Sequence, residues 1–155
     1  MSRSISFSKK VNLDSIKINN LICDFSNYKN FIPGCTNSIS LEKTSSWELG
    51  QLEFNLLGKT SYIKTKNTYE ENHIIMNQVE GPFDDFKGEW IIENLGKEFS
   101  NVIFKANFKL PFLIDAVTPN TLIESMSEQI INSFIKQARW KYFLHIKAKI
   151  KINFF

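Results

Sequence analysis

The chain has 155 residues, a formal net charge of +3 and an apolar share of 43%. This length fits one domain that buries roughly two thirds of the surface its unfolded chain exposes. The charge is too small to indicate a nucleic-acid-binding domain by itself, because such domains show a strongly basic face or motif.

Cys23 and Cys35 form no CxxC pair, so we expect two reduced thiols. The opening MSRSISFSKKV lacks the apolar core of a signal peptide, and no run approaches the roughly 18 apolar residues of a membrane span. We therefore expect a cytoplasmic protein.

The first elements are predicted from side-chain spacing. Alternating Ile5, Phe7 and Val11 indicate a strand over residues 3 to 12. Asp14 is a candidate N-cap for a short helix, whose apolar positions recur at helical spacing and are Ile18, Leu21, Ile22 and Phe25. The stretch SNYKNFIPGC then predicts irregular backbone with a turn.

Six further strand candidates follow, and we expect six or seven strands in all. They begin near Ile39 and then cover residues 47 to 56, 60 to 69, 74 to 79, 86 to 95 and 99 to 110. In the last strand, one face carries Val102, Phe104, Ala106, Phe108 and Leu110, and the other carries Lys105, Asn107 and Lys109. One face of the sheet should therefore be buried and the other wet.

The last third of the chain changes to helical spacing. Its apolar positions are Ile123, Met126, Ile130, Phe134 and Ala138. Pro119 either kinks a helix that begins near Leu113, which we favour, or is the first residue of a helix capped by Thr118. The pattern predicts an α+β fold in which one domain, residues 1–146, packs a long helix across an antiparallel sheet. A basic, apolar tail follows at residues 147–155.

The stretch VEGPFDDFKGEW, residues 79 to 90, has three possible interpretations. A catalytic pair is disfavoured because Asp84 and Asp85 are adjacent and would point to opposite faces of a strand. A metal loop would need several alternating oxygen ligands, which are missing. We favour a structural corner with both aspartates in water. In mid-strand, Gly88 would permit a bulge or sharp curvature and leave space beneath the terminal helix.

Three blocks carry a resemblance to a known family: NYKNFIPGCTNSISLE, IIMNQVEGPFDDFKGEW and NSFIKQARWKYF. In this order they resemble the bacterial RatA and mitochondrial coenzyme Q-binding proteins of the START-like superfamily, over residues 3 to 143. The resemblance implies a helix-grip fold, in which a curved antiparallel sheet wraps around the long C-terminal helix and encloses an apolar cavity. It also implies non-enzymatic ubiquinone binding in support of respiration or, for the RatA branch, a toxin that binds the large ribosomal subunit and blocks formation of the full ribosome.

Twelve residues match the family blocks. They are Tyr28, Phe31, Pro33 and Cys35; then Gly81, Pro82, Phe83, Gly88 and Trp90; and then Phe134, Ala138 and Tyr142. Three positions depart from the family pattern. Lys29 replaces a usual proline, Gln137 replaces a common arginine, and Trp140 replaces a usual charged residue. The departures on the helix put a partner site there in doubt.

The predicted ligand-binding residues form an apolar wall with one polar member. The set is Phe54, Met76, Gln78, Phe83, Gly88, Trp90, Phe104, Phe108, Met126, Ile130 and Phe134. Gln78 either donates a hydrogen bond to a quinone carbonyl or, as we favour, bonds backbone or water. Neither His73 nor His145 belongs to a metal-ligand pattern, so we expect no metal and no cofactor besides the bound lipid.

Three functions stay open from the sequence. The first is a carrier of ubiquinone or a similar isoprenoid lipid, and the second is a RatA-type protein that binds the large ribosomal subunit. The third, an enzyme of the polyketide-cyclase type, is weakest because the wall shows no acid/base pair. In the tail, Lys147, Lys149 and Lys151 alternate with apolar residues before two phenylalanines. We expect a frayed end there, with a tether to an anionic membrane or ribosomal RNA as the alternative.

Overall fold

A seven-stranded antiparallel sheet and a long terminal helix make up the fold of this computed structural model, which describes residues 1–56 and 58–153. The elements are β1 (Ser2–Val11), α1 (Ser15–Cys23), a 3₁₀ helix (Phe25–Asn30), β2 (Cys35–Lys43), β3 (Trp47–Leu56), β4 (Lys59–Glu70), β5 (His73–Glu80), β6 (Asp85–Gly96), β7 (Phe99–Lys109), α2 (Phe112–Val117) and α3 (Asn120–Asn153). The strand order is β1-β7-β6-β5-β4-β3-β2. This is the predicted α+β arrangement.

The segment around α1 is more regular than the sequence indicated. The predicted cap is confirmed, because the Asp14 carboxylate accepts a hydrogen bond from the Lys17 amide at 3.0 Å. The stretch predicted to be irregular instead begins with the 3₁₀ helix. That helix is held because Phe25 and Tyr28 are buried and the Tyr28 hydroxyl donates to the Ile22 carbonyl.

The irregularities in strand pairing lie away from Gly88. Gly88 pairs regularly with Met76 on β5 and with Ala106 on β7. The register shifts lie in β2, between β4 and β5 at Lys64, and in β6 between Asn94 and Gly96. The predicted bulge at Gly88 is therefore wrong.

The core lies where α1 and α3 pack on the concave face of the sheet. The buried positions of α3 are Ile131, Phe134, Ile135 and Ala138, and those of α1 include Ile18, Leu21 and Ile22. They form one cluster with sheet residues that include Trp90, Ile92 and Val102. The alternation seen in the sequence therefore identifies the buried face correctly.

Pro119 separates two helices instead of kinking one. The helix begins at Phe112, near the predicted start, but it ends at Val117, after which Thr118 is extended at φ −101° and ψ 108°. The Thr118 hydroxyl donates to the Ile114 carbonyl at 2.7 Å and so belongs to α2 rather than capping α3. The favoured kink is therefore wrong, because the helix ends at Val117 before Pro119. The alternative is nearly correct, since α3 begins at Asn120, one residue after Pro119, but without the predicted Thr118 cap.

The end of the described chain is helical. α3 continues across the predicted division at residue 146 and reaches Asn153, so residues 147–153 are helical. The two terminal phenylalanines, 154 and 155, lie outside the described residues. Within the described part of the chain, no helix combines the length and apolarity needed to cross a membrane.

Candidate functional site

Four of the family-motif residues converge in one aromatic stack under α3. The Phe134 ring centroid lies 5.0 Å from Tyr28, 5.0 Å from Phe31 and 4.9 Å from Trp90. Trp90 in turn lies 4.8 Å from Phe104 on the neighbouring strand. These distances are typical of favourable aromatic pairs. The stack fastens α3 to the sheet and to the 3₁₀ helix, so the motif first serves the fold.

A second aromatic cluster lies further along the same face. The Phe83 ring centroid is 5.2 Å from Phe86 and 5.6 Å from Phe108. Phe108 is buried, whereas the other two rings keep some contact with solvent. The predicted wall is thus divided into two aromatic groups.

Small residues separate the two groups. A cross-strand row runs from Ile5 through Ala106 and Gly88 to Met76 and Asn67. A Cβ added at Gly88 would lie 2.8 Å from the Met76 methyl carbon. The space that the sequence predicted above Gly88 is therefore filled by the end of a flexible methionine side chain, which can adopt other rotamers.

Gln78 is engaged with the corner before β6. Its Nε2 donates to the Phe83 carbonyl at 2.8 Å, and its Oε1 accepts from the Phe83 amide at 3.3 Å. The favoured interpretation, a bond to backbone, is confirmed. The side-chain amide both donates to and accepts from the Phe83 backbone, so Gln78 holds the corner.

Asn67 is a polar residue on the concave face that the sequence analysis missed. It is 2% exposed and lies beside Met76 in the cross-strand register. The Thr65 hydroxyl donates to its Oδ1 at 2.8 Å, which leaves the amide nitrogen without a hydrogen-bond partner among the described residues. β4 is polar on both faces, so only its pairing with β5 reveals that Asn67 points inward.

A buried carboxylate, Glu48, lies next to Asn67 on β3 and was also missed. Its side chain is 2% exposed, accepts a hydrogen bond from the Tyr69 hydroxyl, and lies 4.0 Å from the Lys43 ammonium nitrogen. Burial, and then the bond to Glu48, raises the pKa of Tyr69 well above its usual value. The sequence could have predicted its burial, because Glu48 lies on the same face of the alternating strand as Leu52 and Phe54.

The voids around these residues differ greatly in size. The void between α1, α3 and the sheet is about 10 Å³, room for about one water, and its lining includes Trp90 and Phe134. A larger depression of about 560 Å³ lies between the start of β1 and the junction of α2 and α3. Its apolar floor includes Ile5, Phe108 and Ile123. Phe108 is the member of the predicted wall that lines this depression.

Arg3 forms the polar rim of that depression. Its Nε donates to the Asp115 carboxylate at 2.8 Å, and Nη1 donates to the Asn120 side chain at 3.1 Å. A third bond joins Nη2 to the Asp115 carbonyl at 2.8 Å. Because Arg3 lies on β1, it fastens the junction of α2 and α3 to the sheet.

The other predicted wall residues are half-buried. Met76, Phe104 and Ile130 pack against the buried cluster, while Phe54 and Met126 lie outside it. Large apolar side chains on the inner faces of the sheet and helix thus keep contact with solvent. We call the inner surface along Phe54, Met76, Phe104, Met126 and Ile130 the concave groove. Neither of the two voids described above is lined by these residues.

The remaining motif residues are structural or exposed. Ala138 lies on the buried face of α3. Tyr142 is half-buried, and the Lys17 ammonium lies 4.0 Å from its ring centroid. Burial raises the pKa of the Cys35 thiol, which disfavours a reactive thiolate. Pro33 and Gly81 are exposed, and Pro82 is half-buried. In the described residues, no group of three or more His, Cys, Asp or Glu side chains is placed to hold a metal ion.

Comparison with known proteins identifies the family. Residues 19–135 match the family described as polyketide cyclase / dehydrase and lipid transport. The chain belongs to this family. Solved structures of similar fold include the Zhui aromatase/cyclase from a Streptomyces species, with a TM-score of 0.74, 16% identity and coverage of 90% of this chain and 94% of that chain. A START superfamily protein from Mycobacterium smegmatis gives a TM-score of 0.71 at 15% identity, with coverage of 92% and 98%.

Curated relatives of this chain include bacterial proteins named ribosome association toxin RatA. The Escherichia coli protein is 26% identical over 123 residues, which cover 79% of this chain and 78% of the relative. The Vibrio cholerae protein is 22% identical over 141 residues, which cover 90% and 98%. The family and the helix-grip fold expected from the sequence are thereby confirmed.

Proposed function

We propose that the protein is a non-enzymatic bacterial carrier of an apolar lipid of the ubiquinone type, held against the concave face of the sheet. The observation that carries this proposal is the half-buried apolar lining of the concave groove. Apolar side chains that face a helix yet keep contact with solvent provide a surface on which a lipid can displace water. The family description, which includes lipid transport, supports the same class of ligand. A role in respiratory electron transport would follow from a quinone ligand.

The row of small residues suggests where a ring would lie. Ala106 and Gly88 present almost no side chain between the Trp90 and Phe108 clusters, and the Met76 methyl covers Gly88. A ligand ring would take the place of that methyl group after a rotamer change of Met76. The depression that reaches Phe108 has a polar rim, but its floor includes Ile5, Phe108 and Ile123, and an isoprenoid tail would lie against these side chains.

Asn67 would be the polar anchor for the ligand. Its amide nitrogen is a donor, and the carbonyls of a quinone are acceptors. Thr65 fixes the amide by donating to Oδ1. A carbonyl that reaches this donor would form a hydrogen bond that a hydrocarbon of the same shape cannot form, a preference of about 0.5 to 1.5 kcal/mol.

A quinone titration tests this assignment. The double variant Trp47→Phe/Trp140→Phe keeps Trp90 as its one tryptophan. Trp90 is buried beside the proposed ring position, so a bound quinone would quench its fluorescence. In that background, Thr65→Val removes a hydroxyl but keeps the Asn67 donor. Adding Asn67→Leu removes the donor as well.

We expect a short-chain ubiquinone to quench Trp90 fluorescence saturably. Its affinity should fall about tenfold in the variant without Asn67, which corresponds to a loss of about 1.4 kcal/mol of binding free energy. Thr65→Val alone should lower the affinity much less. Equal affinity in all three proteins would eliminate Asn67 as the anchor. Absence of saturable quenching in the parent protein would contradict lipid binding itself.

Association with the large ribosomal subunit is the second candidate, since the curated relatives are named ribosome association toxins. On this account the protein would block formation of the full ribosome. Sedimentation with purified subunits tests it, because a contact with ribosomal RNA would be retained at low salt and lost at high salt. Free migration at low salt would exclude this candidate.

A further inference from the structure

One face of the second half of α3 points away from the domain and combines apolar and basic side chains. We call it the outer stripe and define it by Lys136, Trp140, Phe143, Leu144, Lys147, Ile150 and Lys151. These residues recur at helical spacing opposite the buried face of α3, which is formed by Ile131, Phe134, Ile135 and Ala138. The stripe is therefore not needed for the core.

The apolar members of the outer stripe are large and exposed. Trp140, Phe143, Leu144 and Ile150 are between 46% and 53% exposed. The Trp140 and Phe143 ring centroids are 5.9 Å apart, and the Lys147 ammonium lies 4.7 Å from the Phe143 centroid. A depression of about 530 Å³ runs beside these rings, toward Phe31. Contiguous exposed apolar surface of this kind marks an interaction site.

The charge of this segment selects an anionic partner. After Glu128 the sequence contains no further Asp or Glu, but it contains Lys136, Arg139, Lys141, Lys147, Lys149 and Lys151. Lys141 is paired with Asp24 at 3.5 Å, whereas the lysines of the outer stripe face solvent. A second copy of the chain is a poor partner, because the same stripe on both copies would bring like charges together.

Two anionic partners then remain, a lipid bilayer and RNA, and the aliphatic residues favour the bilayer. RNA is bound through phosphate contacts and stacking on aromatic rings, neither of which uses Leu144 or Ile150. Helices that lie in a membrane interface combine lysines with Trp, Phe and Leu. We propose that the outer stripe docks the protein on an anionic lipid bilayer. This docking does not depend on occupancy of the concave groove.

Co-sedimentation with vesicles tests the proposal. Wild-type protein is mixed with vesicles of phosphatidylcholine and phosphatidylglycerol, and in parallel with vesicles of phosphatidylcholine alone. Lys136→Gln/Lys147→Gln/Lys151→Gln removes the charge of the stripe. The matched control, Lys10→Gln/Lys59→Gln/Lys97→Gln, removes the same charge at exposed lysines elsewhere.

Each lysine close to an anionic leaflet strengthens binding roughly fivefold. We expect wild type to bind anionic vesicles, and the stripe variant to bind about 100-fold more weakly, with the control variant affected far less. Equal losses in the two variants would show that net charge alone is responsible and would overturn the proposal. Retention of ribosomal RNA in place of anionic vesicles would overturn it too.

Tryptophan fluorescence provides a second readout that does not depend on charge. Insertion of the stripe moves Trp140 into the interface, so the emission should shift to shorter wavelength with anionic vesicles, and Trp140→Phe should abolish this shift. A shift that persists in Trp140→Phe would place the contact elsewhere on the protein and contradict the assignment.

Discussion

The close contact between Gly50 on β3 and Phe25 on the 3₁₀ helix gives a testable prediction about packing between the sheet and that helix. A Cβ added at Gly50 would lie 2.4 Å from Phe25 Cε1 and 2.5 Å from Cζ, far inside van der Waals contact. Phe25 is 2% exposed, so its ring has little room to move. Overpacking of this kind costs about 1 to 3 kcal/mol, while replacing a strand glycine by alanine gains about 0.5 kcal/mol. Gly50→Ala should therefore lose about 1.5 kcal/mol of unfolding free energy.

Urea denaturation followed by circular dichroism measures this loss, which also corresponds to a melting temperature lower by about 3 to 6 °C for a chain of this size. In a Phe25→Leu background the clashing ring atoms are gone, so Gly50→Ala should cost close to nothing. Gly88→Ala is the matched control, since the nearest atom is the flexible Met76 methyl, and it should cost less than about 1 kcal/mol. A Gly50→Ala protein as stable as wild type, or a cost unchanged by Phe25→Leu, would refute the packing argument.

Three further predictions concern polar contacts. Tyr69→Phe removes the hydroxyl that bonds the buried Glu48 carboxylate and should lower the unfolding free energy by about 1.5 to 3 kcal/mol in urea titrations, with partial recovery on adding Glu48→Gln. Burial raises the pKa of Tyr28 and Tyr69, so their contribution to folding stability should be complete below about pH 10 and fall at higher pH, as the tyrosines of the unfolded chain ionise. In Tyr28→Phe/Tyr69→Phe this decline with pH should be flatter. A decline as steep as that of wild type would contradict the prediction. Arg3→Ala should increase hydrogen exchange in α2 and cost about 1 to 3 kcal/mol, whereas unchanged exchange would show that Arg3 does not hold the junction.

The sequence predicts the strands well because their signal is local. Alternation in β7 and the helical spacing of α3 each reflect one buried face, and the Asp14 cap depends on its own backbone neighbours. The break at Pro119 was less predictable. A proline permits a kink, a break or a helix start, and the choice is made by distant contacts such as the bonds from Arg3 to α2.

The candidate site was only partly predictable, because it depends on which strands become neighbours. Gly88 was correctly placed on the inner face, but the methyl group that fills its space comes from Met76 on the adjacent strand. Asn67 lies on a strand with polar residues on both faces, so alternation gives no contrast there. Its inward position follows from its pairing with Met76 and Glu48, which a single sequence does not reveal.

The measurement that tests lipid carriage most directly is native mass spectrometry of protein purified from a quinone-producing host, combined with extraction of the bound lipid. Three proteins are compared: wild type, Gly88→Leu, which fills the proposed ring position, and Met76→Ala, which enlarges it. Circular dichroism confirms that each variant is folded. We predict that quinone accompanies wild type and Met76→Ala and is absent from folded Gly88→Leu. Wild-type protein without quinone, or equal quinone in Gly88→Leu, would contradict the account.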